Sequence, residues 1–269
     1  MSRIQATFTR LKNQGDCAIM PYIPVGYPTM ESSEGLIRAM CESGADLIEL
    51  GVPCSDPLAD GPTIQEAGAT ALANGADLHT CMETVASLRS SGLETPIVLM
   101  GYCNSFLAYG IERLAIDAAQ AGVDGFIIPD LPSTMADPWV DVLSSNGLDL
   151  IFFLAPTTSE QRAASIVQKA TGFLYCISVT GVTGARENLT EELPVFLKYA
   201  RSLTDLPLCV GFGITNATHV NQVSQYADGA IVGSALINLI KRSEPAQVEM
   251  KVREFIETLK RATRTVVKR

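Results

Sequence analysis

The chain has 269 residues, of which 47% are hydrophobic and 18% charged; this balance excludes a disordered chain and supplies the apolar side chains of a large core. The net charge of -9 argues against a broad nucleic-acid surface, which needs clustered lysine and arginine. We interpret the one basic cluster, residues 260–269, as a solvated or frayed helix end.

The cysteine pattern and the N-terminus point to a cytoplasmic protein. The 7 cysteines form no CxxC pair and no metal-site spacing with histidine, so we expect free thiols and no bound metal. The first fifteen residues have helical spacing without a continuous apolar stretch, which predicts an extra N-terminal helix rather than a signal peptide. No apolar run approaches the length of a membrane span.

Short apolar runs recur along the chain, and each is typical of a buried strand. They cover residues 17–26, 47–53, 96–102, 125–130, 150–156, 173–179, 206–213 and 229–236. Nearly all are continuous rather than alternating, as in parallel strands covered on both faces. Segments of helical period separate them, many opening at Ser, Thr, Asp or Glu. The alternation predicts an α/β fold, a single (β/α)8 TIM barrel over residues 1–269, with an open doubly wound sheet as the alternative.

Three carboxylates follow the second run within a short distance. Glu49 ends the run, and the Pro- and Gly-rich loop after it carries Asp56 and Asp60. If Ile48 and Leu50 point outward, Glu49 points into the barrel mouth, where an apolar setting raises a carboxyl pKa toward the range useful for proton transfer. A salt-bridged or capping glutamate is the alternative. An ionised Asp60 would accept a substrate N–H group, although turn and capping roles would explain either aspartate.

Three later loops have the composition of substrate-binding segments. After the sixth run, "SVTGVTGARENLT" is long for a βα connection, and we interpret it as a lid, with a plain flexible loop as the alternative. Gly213 follows the seventh run, and Gly233 with Ser234 follows the eighth. Each glycine alone is a weak signal because tight turns also use glycine, but two in adjacent loops predict a phosphate site at helix N-termini.

The strand ends lack histidine and lysine, and this limits the reaction mechanisms that the site could use. His79 and His219 lie at predicted helix starts, away from strand ends, so we do not expect a histidine-based triad or metal site. No lysine stands at the end of a strand, which removes the nucleophile of a Schiff-base aldolase. Carbon–carbon cleavage would therefore have to use carboxylates alone.

The motif "GADLIELGVPCSDPLADGPTIQ", followed in order by "PDLP", "APTTS", "VTGVTGAR", "GFGI" and "VGSA", resembles the tryptophan synthase α subunit family along the whole chain. The resemblance implies a lyase that cleaves indole-3-glycerol phosphate by a retro-aldol reaction to indole and glyceraldehyde 3-phosphate. It implies no cofactor in this chain. It also implies a partner β subunit, in an α2β2 heterotetramer, that carries pyridoxal phosphate and receives indole through a tunnel.

The same resemblance implies a role for individual residues. Glu49 would move protons between the glycerol hydroxyl and indole C3, and Asp60 would hold the indole N–H and stabilise the cationic indolenine. The substrate-binding residues that it implies are Tyr22, Leu99, Tyr102, Tyr175, Thr183, Gly184, Phe212, Gly213, Gly233 and Ser234. Those that would face the β subunit are Pro53, Asp56 and Asn104.

Three positions depart from the family pattern. Tyr22 stands where phenylalanine is expected, Cys54 where an aromatic residue is common, and "MGYCNSF" replaces a Tyr-Asn-Pro run. The first adds a hydroxyl to the pocket, and the others lie near the expected partner surface. Two other functions stay open: a stand-alone lyase that releases indole without a partner, and a weakly catalytic subunit that binds a phosphorylated ligand and activates a partner allosterically.

Overall fold

The computed structural model of the chain describes residues 1–177, 192–211 and 213–263. Within these residues, eight parallel strands close into a barrel in sequence order, and the last pairs with the first. The strands are β1 (Ala18–Pro24), β2 (Ile48–Gly51), β3 (Ile97–Met100), β4 (Gly125–Ile127), β5 (Asp149–Leu154), β6 (Leu174–Ile177), β7 (Leu208–Gly211) and β8 (Gly229–Val232). The predicted TIM barrel is confirmed, and the open sheet is excluded.

Helices connect the strands, and further helices precede β1 and follow β8. They are α1 (Arg3–Gln14), α2 (Met30–Glu42), α3 (Pro62–Ala73), α4 (Leu78–Ser90), α5 (Cys103–Tyr109), α6 (Ile111–Ala121), α7 (Asp137–Ser145), α8 (Glu160–Lys169), α9 (Leu193–Leu203), α10 (Ala217–Val223), α11 (Ser234–Lys241) and α12 (Val248–Arg261). Pro138 and Pro194 lie in the first turns of α7 and α9, where a proline has no hydrogen bond to lose. Among the described helices, none has the length and apolar character needed to span a bilayer.

Polar side chains start several of these helices. A side-chain oxygen of the residue before the first turn accepts the backbone N–H group three residues later, which satisfies a donor that the helix itself leaves unpaired. The capping residues are Ser2 for α1, Thr29 for α2, Asp77 for α4, Ser159 for α8 and Asn216 for α10. These contacts explain why many of the segments of helical period open at a polar residue.

The buried apolar side chains form two layers, one inside the barrel and one between the barrel and its helices. Helix α1 closes the N-terminal end of the inner layer with Ile4, Phe8 and Leu11, and the Phe8 ring lies 6.0 Å from the ring of Phe173. The expected extra N-terminal helix is therefore confirmed, and it serves as a plug. The outer layer contains Ile48 and Leu50, among many others.

Candidate active site

Glu49 lies on the inner face of β2, between the outward-facing Ile48 and Leu50. It is 1% exposed, and its Oε2 atom has no hydrogen-bond partner among the described residues. Burial raises the pKa of Glu49 to about 8, and the nearby carboxylate of Asp60 adds to the rise. Near neutral pH, Glu49 is therefore mainly a protonated acid. The alternative of a salt-bridged or capping glutamate finds no partner in the described part of the chain.

Asp60 ends the loop after β2, directly before Gly61, which starts α3 without a side-chain cap. Its carboxylate accepts a hydrogen bond from the hydroxyl of Tyr102. The oxygen of that hydroxyl in turn accepts the backbone N–H of Ala59 at 3.1 Å. Burial raises the pKa of Asp60 to about 6, against the lowering effect of the Tyr102 bond. Asp60 is consequently mostly ionised at neutral pH, while Glu49 is mostly protonated.

Two tyrosines lie across the mouth of the barrel, each over a glycine of the next strand. A Cβ atom on Gly51 would stand 2.3 Å from the Tyr22 hydroxyl, and one on Gly211 would stand 2.2 Å from the Tyr175 hydroxyl. Both tyrosines are nearly fully buried. Burial, followed by the charges of the two mouth carboxyls, raises the pKa of each hydroxyl well above its ordinary value. Only glycine at these two positions leaves room for the rings beside the carboxyl pair.

Leu99 does not reach the mouth. It is buried in the outer layer with Leu50, whereas the next residue, Met100, packs against the inner layer. The prediction that Leu99 lines the pocket is therefore wrong, since alternation along β3 turns Leu99 toward the helices and Met100 inward.

The glycines predicted to bind phosphate follow two neighbouring strands. Gly213 comes after β7 and has a φ of 88°, which an L side chain rarely adopts. Gly233 comes after β8 and precedes Ser234, the first residue of α11; no side chain caps this helix in the described structure. Unpaired N–H groups and the positive end of the helix dipole make such a terminus favourable for an anion.

His219 lies closer to a strand end than the sequence suggested. It is 2% exposed in the first turn of α10, and its Nδ1 atom is 3.0 Å from the carbonyl oxygen of Gly213 and 3.2 Å from the hydroxyl of Thr215. The expectation that this histidine stands away from the strand ends is wrong, because α10 begins almost directly after the turn that follows β7. The signal was Asn216, a helix-capping residue three positions earlier.

The expected partner surface is only partly exposed. Asp56 and Asn104 are exposed, and the neighbouring Leu58 is 75% exposed, but Pro53 is buried within this chain. The Sγ atom of Cys54 lies 3.9 Å from Oδ1 of Asn104, so the loop after β2 contacts α5 at this surface. Cys54 thus connects the loop that carries Asp60 with the helix that follows Tyr102.

Some predicted features fall on other parts of the chain. Thr183, Gly184, Phe212 and the predicted lid lie outside the described residues. Within the described ranges, no group of three or more histidine, cysteine, aspartate or glutamate side chains is arranged to hold a metal ion. All 7 cysteines are free thiols.

The fold and the two carboxyls at its mouth define the class of protein: a (β/α)8 barrel with the groups of an acid–base enzyme at the C-terminal ends of its strands. A profile of the family described as "Tryptophan synthase alpha chain" matches residues 8–264. The chain belongs to the tryptophan synthase alpha chain family, and it is a lyase of tryptophan biosynthesis.

Individual relatives and solved structures agree with this assignment. The tryptophan synthase alpha chain of Roseiflexus castenholzii is 54% identical over 97% of this chain and 100% of its own length, and that of Chloroflexus aggregans is 48% identical over 99% and 100%. The tryptophan synthase subunit alpha of Legionella pneumophila superposes with a TM-score of 0.91 at 37% identity, covering 98% of both chains. A chain of Mycobacterium tuberculosis tryptophan synthase, in an aminoacrylate-bound form, has a TM-score of 0.88 at 32% identity and covers 98% of this chain and 100% of that one.

Proposed function

We propose that Glu49 and Asp60 carry out the α reaction of this family, the retro-aldol cleavage of indole-3-glycerol phosphate to indole and glyceraldehyde 3-phosphate. The observation that carries the proposal is the opposite protonation of two carboxyls at one barrel mouth. Burial raises the pKa of Glu49 to about 8 and that of Asp60 to about 6, so near neutral pH one is an acid and the other an anion.

The reaction uses this difference in a closed cycle of protons. Glu49 donates its proton to indole C3, and the positive charge that forms on the indole nitrogen is stabilised by the carboxylate of Asp60. Glu49, now a carboxylate, accepts the proton of the glycerol hydroxyl on the neighbouring carbon. The bond from C3 to that carbon breaks, and its electron pair returns to the ring. The products are indole and the aldehyde, and Glu49 is again protonated.

The remaining mouth residues bind the substrate. The rings of Tyr22 and Tyr175 line the indole pocket on either side of the carboxyl pair. The Tyr102 hydroxyl fixes the Asp60 carboxylate. The phosphate binds at Gly213, Gly233 and Ser234, which is supported by the uncapped N-terminus of α11 and by the left-handed turn at Gly213. Thr183 and Gly184 act from the lid, and Phe212 lines the pocket; these three roles rest on the sequence alone.

The partner of this chain is a tryptophan synthase β subunit in an α2β2 assembly, with pyridoxal phosphate bound by the partner. Supporting this, the relatives are alpha chains by name, and Asp56 and Leu58 of the loop after β2 and Asn104 of α5 are all exposed. A loop that carries Asp60 at one end and contacts α5 through Cys54 connects the chemistry with this surface. The compartment is the cytoplasm, in line with the unpaired thiols.

Indole release from indole-3-glycerol phosphate, measured with and without a β subunit, tests the function. Glu49→Gln should lower turnover on the order of 10²-fold or more, because the acid/base group is lost, while the affinity for glycerol 3-phosphate stays at the wild-type value. Glu83→Gln, a change on an exposed helix surface, is the control. Absence of indole from the wild-type chain under both conditions would overturn the enzyme function. Near-normal turnover of Glu49→Gln would remove Glu49 from the mechanism, and equal rates with and without the β subunit would favour a stand-alone lyase.

A further inference from the structure

We propose that His219 is a positioning residue of the phosphate site, which holds the turn after β7, and Gly213 with it, in place before the substrate binds. The inference rests on the phosphate role proposed above for Gly213. It adds a residue that the family resemblance did not single out, and it gives that residue a defined contact.

The contact between the imidazole and the turn indicates which ring nitrogen carries the proton. Nδ1 of His219 lies 3.0 Å from the carbonyl oxygen of Gly213. A carbonyl oxygen accepts hydrogen bonds and does not donate them, so this contact requires the ring proton on Nδ1. The backbone N–H of Thr215 also points at Nδ1, at 3.3 Å, and Nδ1 could accept it only in the other tautomer, which would leave the Nδ1 lone pair facing the Gly213 oxygen. The shorter contact to the carbonyl favours the tautomer with the proton on Nδ1.

A second bond joins the same histidine to the same turn. The backbone N–H of His219 donates to Oδ1 of Asn216 at 3.0 Å, which starts α10. The side chain of His219 therefore binds the first residue of the segment 213–216, while its backbone binds the last. The imidazole is 2% exposed, so water does not compete for these bonds.

Gly213 needs such support because glycine has the greatest backbone freedom of any residue. Its φ of 88° is open to glycine, but glycine also loses more conformational freedom than any other residue when it is held in one conformation. A donor that must be ordered during binding weakens the affinity, whereas one that is already ordered does not. A buried bond from His219 to the Gly213 carbonyl fixes the peptide group that joins Gly213 to Ile214, and so restricts Gly213, before the phosphate arrives.

A pair of substitutions with similar shape separates this role from packing. His219→Asn places an amide N–H close to the position of Nδ1, and His219→Leu has the same branching without a donor. Affinity for glycerol 3-phosphate is measured by calorimetry, together with kcat and KM for indole-3-glycerol phosphate and with Tm. We expect His219→Leu to weaken glycerol 3-phosphate binding and to raise KM about 3- to 10-fold, the effect of one neutral hydrogen bond, with kcat within about twofold of wild type.

His219→Asn should bind glycerol 3-phosphate as the wild type does, and His79→Leu, on the exposed start of α4, should change neither affinity nor KM. Wild-type affinity in His219→Leu would overturn the proposal, as would an equal loss in His219→Asn and His219→Leu. A wild-type chain that does not bind glycerol 3-phosphate would instead overturn the phosphate site itself. Loss of indole release with intact glycerol 3-phosphate binding would count against the proposed chemistry only.

The unmodified chain offers an independent measurement if His219→Leu does not fold. The sequence has only 2 histidines, so nitrogen NMR of the imidazoles at pH 8 is simple to assign with the help of His79→Leu. We expect the His219 signal of a ring with its proton on Nδ1. A ring with an unprotonated Nδ1 cannot donate to the Gly213 carbonyl and would overturn the proposal.

Discussion

Glu49 and Asp60 share one barrel mouth but differ in what surrounds each carboxyl. Glu49 is on a strand and has no hydrogen-bond donor at Oε2 within the described structure, so burial acts on it without compensation. Asp60 is on a loop, less buried, and accepts the Tyr102 hydroxyl, which stabilises its ionised form. Two carboxyls with separated pKa values provide an acid and an anion at the same pH.

The pH dependence of kcat/KM for indole release should therefore be bell-shaped. Activity falls as the pH drops through about 6, because Asp60 becomes protonated, and it falls as the pH rises through about 8, because Glu49 loses its proton. In Asp60→Asn the acidic limb should disappear. The alkaline limb should move to lower pH, because the Asp60 charge contributes to the raised pKa of Glu49. Asp141→Asn, an exposed change on α7, is the control, and an acidic limb that persists in Asp60→Asn would contradict the assignment.

Glu49 should also make the folding stability depend on pH. Its pKa rises from 4.5 to about 8 on folding, so between these values the folded chain holds a proton that the unfolded chain has released. Stability from this group is full below about pH 4.5 and is lost as the pH rises to about 8. Glu49→Gln lacks this loss, and its stability advantage over wild type should grow across that range, up to roughly 5 kcal/mol, at about 1.4 kcal/mol per pKa unit. Urea unfolding at pH 5 and pH 8.5 measures the difference, and a constant difference would contradict the buried acid.

At the scale of elements, Gly51 on β2 and Gly211 on β7 shape the mouth because neither has a Cβ atom. Tyr22 and Tyr175 come from different strands, and each ring occupies the space that a Cβ of Gly51 or Gly211 would fill. Since these glycines stand at the C-terminal ends of their strands, a change there alters the pocket rather than the barrel core.

Gly51→Ala should displace the Tyr22 ring, because the new Cβ would stand 2.3 Å from its hydroxyl oxygen. We expect a loss of about 1–3 kcal/mol in the free energy of unfolding and a raised KM for indole-3-glycerol phosphate. Gly35→Ala is the matched control: it lies within α2 with nothing within 4 Å of its Cβ position, so it should stabilise the chain by about 0.5–1 kcal/mol. Chemical denaturation and steady-state kinetics give both values. An unchanged KM in Gly51→Ala would show that the Tyr22 ring does not line the substrate pocket.

The elements also show what a single sequence does and does not predict. All eight strands were predicted because continuous apolar runs and capping residues are local signals, and the structure shortens the runs mainly where the chain turns away, as at α11 after β8. The inward direction of Glu49 followed from its two apolar neighbours. The prediction that Leu99 lines the pocket was wrong because β3 is a run of apolar residues and contains no polar residue that would show which face points inward. Helix α5 was missed because seven residues are too few to show a helical period, and the contact of His219 with Gly213 depends on the path of the turn between them, which Asn216 marks only at its end.

On the scale of the whole molecule, stability and chemistry lie at opposite ends of the barrel. At the N-terminal ends of the strands, buried carboxylates accept backbone N–H groups and pair with cations from the helices. Asp46 pairs with Arg10 and Lys260, and Asp124 pairs with Arg3 and Arg89. The candidate active site is at the C-terminal ends of the strands. Changes at the N-terminal end should therefore affect folding without affecting catalysis.

Arg89 offers a direct test of whether the N-terminal end of the barrel affects folding without affecting catalysis. Its guanidinium donates to Asp124 at 2.7 Å and to the carbonyl oxygens of Gly122, Leu93 and Thr95 at 3.0, 2.6 and 2.8 Å. A lysine has one nitrogen and cannot make these bonds together, so Arg89→Lys should lower the free energy of unfolding by roughly 2–4 kcal/mol. Below the unfolding transition, kcat/KM for indole release should equal that of wild type.

Arg261→Lys is the control, since Arg261 is 75% exposed and pairs with Glu257 one turn earlier on α12; its effect should stay within about 0.5 kcal/mol. Urea unfolding and indole release, measured on the same preparations, separate the two quantities. If Arg89→Lys lowered kcat/KM in the folded chain, the two ends of the barrel would be coupled, and the mouth carboxyls would depend on the contacts of α4 with the segment that precedes β4. If it left stability unchanged, water would have replaced the lost bonds at the N-terminal end.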